Sequence, residues 1–261
     1  MNNKRNNISV FHGMRFVRTD SVCLFLGFLI VVWFLLTRSH AIIGYLHSFD
    51  MLAMSIINVH GPGYADYFFY NTSSKFIWLP LILSVIWVVV SDCRDKKRAV
   101  LLIVASVLVV VLCDQISGVI KRLVERPRPS HNDNISFLLH YVNSYRGGRF
   151  GFVSSHAANC FGESVWLMLL LRNRKVKLTL LIFSLVVCYS RIYLGVHYPF
   201  DVLAGSCLGI ALGVLVYVVC AKTLGVERCI LCDKYNIVPA AAMFTVVMIA
   251  IISAFGIFLP K

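Results

Sequence analysis

Seven apolar runs, separated by short clusters of charge, set the plan of this chain. They lie near Ser21–Leu36, Phe76–Ser91, Ala99–Ile120, Ser154–Leu171, Leu178–Leu194, Asp201–Cys220 and Pro239–Leu259. A helix needs about 20 apolar residues to cross the hydrocarbon of a bilayer. The runs approach or reach that length, and only helices or closed barrels satisfy their backbone groups in lipid. The pattern predicts an all-α polytopic membrane helix bundle, with six core transmembrane helices plus a C-terminal seventh. Residues 1–20 form a polar N-terminal tail and 21–220 the six-span core; 221–261 hold a loop and the last span. The first run reads as a retained anchor. Its 20-residue polar lead is long for a signal peptide, and Arg38 and His40 crowd the one small-residue cleavage site. Segment 37–75 is mixed and rich in aromatic residues, with a Gly61-Pro62-Gly63 turn. It reads as interfacial, with at least one helix along the headgroups.

Composition agrees. Apolar residues make up 59% and charged residues 14%, and mean hydropathy is +0.78. A disordered chain, a fibrous repeat and a disulfide-stapled miniprotein are excluded. Cys229 and Cys232 form a C-x-x-C with no second ligand pair, which reads as a polar loop at the membrane edge. The net charge of +13 has no accompanying nucleic-acid motif, so no nucleic-acid partner is expected.

The positive charge is unevenly placed. If the spans alternate, 15 of the 25 Lys and Arg residues fall on one side. The positive-inside rule makes that side, with the N-terminus, cytoplasmic. The opposite side should be poor in cations, yet residues 121–153 include Lys121, Arg122, Arg126, Arg128, Arg146 and Arg149. Such a cluster is suited to holding an anion.

Three polar stretches fall at the outer ends of spans three to six: Lys121–Pro129, Phe152–His156 and Ser190–Asp201. Lys121, Arg128 and Arg191 could converge on one phosphate, the guanidinium forks matching its oxygens. Pro127 and Pro129 fix the backbone on both sides of Arg128. Ser154 and Ser155 open span four, where a helix N-terminus offers free N–H groups to an anion. Of His156 and His197, one can attack phosphorus and the other can protonate the departing oxygen. Asp201, four residues after His197, can orient the attacking ring.

These stretches resemble the signature of the type-2 phosphatidic acid phosphatase superfamily: K-x6-RP, PSGH and SR-x5-H-x3-D. Lys121, Arg128, Pro129, Ser154, His156, Ser190, Arg191, His197 and Asp201 match in order. The second motif departs at Val153 and Ser155, where the pattern has proline and glycine.

The resemblance covers residues 75–220 and implies the roles. His197 is the nucleophile that forms a phosphohistidine, Asp201 its orienter and His156 the general acid. Lys121, Arg128, Ser154, Ser155 and Arg191 hold the phosphoryl oxygens. Asp114 and Ser190 are expected to support this set without touching substrate, and Glu163 to serve structure or to support the set in the same way. No metal or other cofactor is implied. Arg122, Arg126, Arg146 and Arg149 either meet a large headgroup or are simply solvated.

The expected activity is a membrane lipid-phosphate phosphatase, its site facing the periplasm or exterior from the inner membrane. The partner is a lipid phosphate within the bilayer. Undecaprenyl diphosphate ranks first, lipid A second, and phosphatidylglycerol phosphate or phosphatidate third. The competing classes are a vanadate-dependent halide oxidase and a non-enzymatic lipid transporter or scaffold.

Overall fold

The computed structural model describes residues 40–58, 63–74, 76–93, 95–171, 173–225 and 236–260. Gly44–Lys261 form one compact unit, which holds the site and the helices below except the first four residues of α1. The α-helices are α1 (His40–Ile57), α2 (Gly63–Thr72), α3 (Leu79–Asp92), α4 (Lys96–Val124), α5 (Ser155–Leu170), α6 (Arg174–Tyr193), α7 (Pro199–Leu224) and α8 (Ile237–Ala254). Among the described residues the only β-pairing is one isolated antiparallel bridge, Pro127 with Phe150.

The helical class is as the sequence predicts; the count of six spans plus one is not reached among the described residues. Four described helices are long and apolar enough to cross a membrane: α4, α6, α7 and α8. A fifth is obtained only if α2 and the Phe76–Ser91 segment count as one span bent by 72°. The first expected span and the Cys229–Cys232 pair lie outside the described residues. The fourth, α5, has 16 residues and is short because Leu171 already leaves the helix. It survives as a central element because its neighbours bury Ala157, Gly162, Trp166 and Leu167. Segment 37–75 contains two helices, α1 and α2.

Glycines set the contact that places the site. Gly205, Gly209 and Gly213 of α7 face the backbone carbonyls of Ser154, Ala158 and Gly162, so close that a Cβ at each would collide. Both partners advance by four residues per step, so α5 and α7 run parallel. This is the small-residue packing that brings membrane helices together. Both N-termini, with their partial positive charge, therefore emerge at the same end of the bundle. The C-termini of α4 and α6 reach that end too.

Candidate active site

Each helix end has a local reason to stop where it does. The α4 helix terminates at Glu125, whose left-handed conformation (φ 50°) closes the last turn through its N–H to the Lys121 carbonyl. The chain then extends through Pro127 and Pro129, with Arg128 held between them. Arg128 N donates to Arg149 O at 3.1 Å, and Gly151 N to Arg126 O at 2.9 Å. This short pairing returns the loop so that Gly151 sits against Asp201 Oδ2, where a Cβ would lie 2.7 Å away. On the neighbouring helix, Ser154 caps α5 by accepting from Ala157 N, and its own N–H donates to Asp201 O at 2.9 Å.

The charges of the three expected phosphate cations all act on one imidazole. His197, 1% exposed, lies under the combined charge of Arg128, Arg191 and Lys121. Burial first, and then these cations, hold its pKa well below the usual histidine range. The ring is thus neutral at physiological pH. Its Nδ1 lies 3.5 Å from Asp201 Oδ2, close enough for charge attraction but without a formed hydrogen bond. That orientation leaves Nε2 for a reacting group.

Arg128 is held from two sides, Nε donating to Phe150 O at 3.0 Å and one terminal nitrogen to Val196 O at 3.3 Å. Burial and the neighbouring Arg191 pull its pKa down to about 10, so it stays charged. Gly147, at φ 68°, packs where any side chain would strike the Arg128 guanidinium. Arg191 is 1% exposed. It bonds Ser73 Oγ at the end of α2, and a second nitrogen donates to Tyr145 OH at 3.2 Å. Its Nε is buried without a partner, a donor left for a guest.

Ser155, the departure from the motif glycine, has a definite place. Its Oγ takes the Lys121 ammonium and accepts from Ser117 Oγ at 2.7 Å. His156 follows it in the first turn of α5, partly buried.

Asp114 and Ser190 have definite surroundings: the Asp114 charge acts on Lys121. Asp114 is exposed on α4, and no Asp114–Lys121 ion pair occurs among the described residues. The hydroxyl of Ser190 is buried and donates back to Val187 O at 2.6 Å, inside its own helix. Glu163 lies within α5 with one carboxylate oxygen buried and unpartnered.

Sequence reasoning missed several participants. Arg126, left among headgroup or solvated arginines, turns inward to Asp201 and Asp50. Its place in an Arg-Pro-Arg-Pro run was the available signal. Ser73 and Tyr145 bore no signal at all, because chain-distant loops bring them to Arg191.

Comparison with known proteins shows the family. The sequence pattern of the PAP2 superfamily matches residues 99–224, which hold α4 through α7. A lipid A 4'-phosphatase of Bacteroides thetaiotaomicron is 36% identical over 183 residues, covering 69% of this chain and 80% of that protein. A second lipid A 4'-phosphatase, from Porphyromonas gingivalis, is 33% identical over 153 residues, covering 58% and 64%. In fold, the chain is similar to a transmembrane PAP2-type phosphatidylglycerolphosphate phosphatase of Bacillus subtilis. That match has a TM-score of 0.54 at 24% identity and covers 78% of this chain and 96% of the other.

Proposed function

We propose, from the premise that this chain belongs to the PAP2 superfamily and is a membrane phosphoric ester hydrolase, that it removes a phosphate from a glycolipid headgroup of the lipid A class. The observation that carries the substrate choice is the 36% identity to a lipid A 4'-phosphatase across 80% of that protein. The loop before α5 supports it. Arg146 and Arg149 are exposed there, backed by the Tyr141 and Phe150 rings at 4.7 and 5.4 Å. They offer cations to a headgroup larger than one phosphate. Both observations favour lipid A over undecaprenyl diphosphate, which the sequence alone ranked first.

The chemistry follows from the geometry. The substrate phosphate sits among Lys121, Arg128 and Arg191 and at the N-termini of α5 and α7, which match its charge of about −1.5 to −2. His197 Nε2 attacks phosphorus while Asp201 holds the Nδ1 side and stabilises the imidazolium that develops. The phosphorus–oxygen bond to the lipid breaks, and His156 gives its proton to the departing oxygen. The phosphoryl group is left on His197. Neutral His156 then takes a proton from water as the water attacks phosphorus. The phosphorus–nitrogen bond breaks, and free phosphate leaves. Ser154 and Ser155, at the start of α5, complete the donors around the phosphoryl oxygens.

The site opens at the periplasmic face of the inner membrane, with the N-terminus cytoplasmic. The bias of 15 of 25 cations to the other side supports this orientation. At that depth the phosphate reaches the cations while the acyl chains stay in the bilayer.

Purified protein in detergent micelles tests the reading. Phosphate release from lipid A, undecaprenyl diphosphate and phosphatidylglycerol phosphate should give the highest kcat/KM with lipid A. Faster turnover of undecaprenyl diphosphate reverses the ranking. Turnover retained by His197→Ala overturns the mechanism.

A further inference from the structure

Arg126 lies outside the matched motif positions, yet its side chain is only 17% exposed and ties three parts of the chain together. One terminal nitrogen donates to Asp201 Oδ1 at 2.9 Å. The other donates to Asp50 Oδ2 at 2.7 Å and lies 3.3 Å from His47 Nδ1. The guanidinium carbon stands 4.3 Å from the Tyr198 ring centre. Asp50 and His47 come from α1, a helix whose Phe49, Leu52 and Ile56 point outward and exposed. Asp50 is fully buried, and its second oxygen accepts from Phe200 N at 3.0 Å, in the first turn of α7. On the far side, Asn132 donates to Tyr198 OH at 2.9 Å and meets His47 Nε2 at 3.3 Å.

We propose that Arg126 is a positioning residue for the hydrolysis: by bridging Asp50 and Asp201 it fixes the Asp201 carboxylate so that Oδ2 faces His197. The inference rests on His197 being the nucleophile. A carboxylate held at one oxygen only can rotate and present either one. Here Oδ1 belongs to Arg126, and Oδ2 accepts from Tyr198 N at 3.0 Å while facing Nδ1. Both aspartates are fully buried, and the single guanidinium between them offsets charges that would otherwise repel. The α1 helix thereby becomes part of the site without touching substrate.

The charges around the ring set the test. Lys121, Arg128 and Arg191 face His197 as cations and Asp201 as an anion; Arg126 stands behind Asp201, and Asp50 and His47 stand behind Arg126. Deleting Arg126 leaves the Asp201 charge undivided, so the imidazolium forms more readily. Deleting the Asp50 charge acts in the opposite sense. The acid limb of kcat/KM reports this ionisation in the free enzyme.

Full-length protein in detergent, with lipid A as substrate, is assayed as Arg126→Ala, Arg126→Lys and Asp50→Asn. Arg126→Ala should lose on the order of 10–100-fold in kcat with little change in KM. Its acid limb should move to higher pH. Asp50→Asn should move the limb to lower pH, and Arg126→Lys should restore part of kcat. Equal limb shifts in both charge variants, or a loss confined to KM, overturn the inference. If Arg126→Ala does not fold, Arg126→Lys decides: a lowered kcat at unchanged KM supports the role, and wild-type kcat overturns it. His197→Ala separates the two levels. Turnover lost there but kept in Arg126→Ala refutes the positioning role alone; turnover kept in His197→Ala refutes the underlying mechanism and this inference with it.

Discussion

The Nδ1 of His197 lies 3.5 Å from Asp201 Oδ2, both groups buried, and the charges of three cations act on the ring. The four-residue spacing puts the aspartate in the first turn of α7, so the helix start itself aims the carboxylate at the ring. Replacing Asp201 with Asn keeps the shape but offers an amide where the imidazolium needs an anion. The expected loss in kcat is about 10²–10⁴-fold. Single-turnover measurement should show slower formation of the phosphohistidine, which is acid-labile and is therefore trapped by alkaline quench before chromatography.

The seam between α5 and α7 predicts where the fold is least tolerant. Gly209 lies against the Ala158 carbonyl and Gly162 N, so a side chain there must push two parallel helices apart. Gly209→Val should cost about 1–3 kcal/mol or more through overpacking, with a lower Tm in detergent. Gly148, which has open space around it, is the control. A Gly209→Val protein as stable as Gly148→Ala would refute the seam.

Lys121 is expected to act through charge on the substrate and not through structure. It sits in the last turn of α4 with its ammonium on Ser155 Oγ. Lys121→Met should keep the helix and its apolar stem while removing the point charge. Hydrogen bonds to charged groups are worth about 1.5–3 kcal/mol, so kcat/KM should fall roughly 10–100-fold with little change in Tm. A large drop in Tm would instead make the Lys121–Ser155 contact a structural one.

Local signals were legible in the sequence and long-range ones were not. The start of α5 falls within one residue of the expected position because Ser154 is a good N-cap, a choice made by its own side chain. The last span was expected to run to Leu259, but α8 ends at Ala254. Gly256, at φ 67°, stops it, and the following residues bond to α2 instead. Lys121, Arg128, Arg191, His197 and Asp201 could be listed from spacing. Their supports Ser73, Tyr145 and Asp50 could not, since each is polar, unpatterned and far away along the chain. The Gly205-Gly209-Gly213 spacing was visible, though only the packing shows which helix it meets.

Asn71 illustrates the same point and yields a further prediction. By sequence it opens an Asn-Thr-Ser glycosylation tripeptide, but it is fully buried. Its amide donates to Ile257 O at 2.8 Å and accepts from Leu259 N at 2.8 Å, clamping the C-terminal tail onto α2. Asn71→Ala should cost about 1–3 kcal/mol, the usual consequence of leaving buried partners unsatisfied. Limited proteolysis should then cut after residue 254 faster than in the wild type. An unchanged cleavage rate would show that the Tyr67–Phe258 stack, with ring centres 4.3 Å apart, holds the tail without it.

Acid sensitivity should trace to His197. Its folded pKa lies well below 6.5, the unfolded value, chiefly because of burial. Between those two values the unfolded chain binds more protons than the native one, so stability rises with pH through that window. Acidifying from 6.5 downward must therefore destabilise the protein, by up to about 1.4 kcal/mol per pH unit for one proton. His131 contributes with the same sign, being lowered by partial burial and by Arg128, Arg146 and Arg149. His197→Gln should flatten the dependence of Tm on pH over this range, and His131→Gln should flatten it less. Saturating inorganic phosphate should flatten it as well, because an anion among the three cations favours the protonated ring. An unchanged slope in His197→Gln would assign the acid lability to other groups.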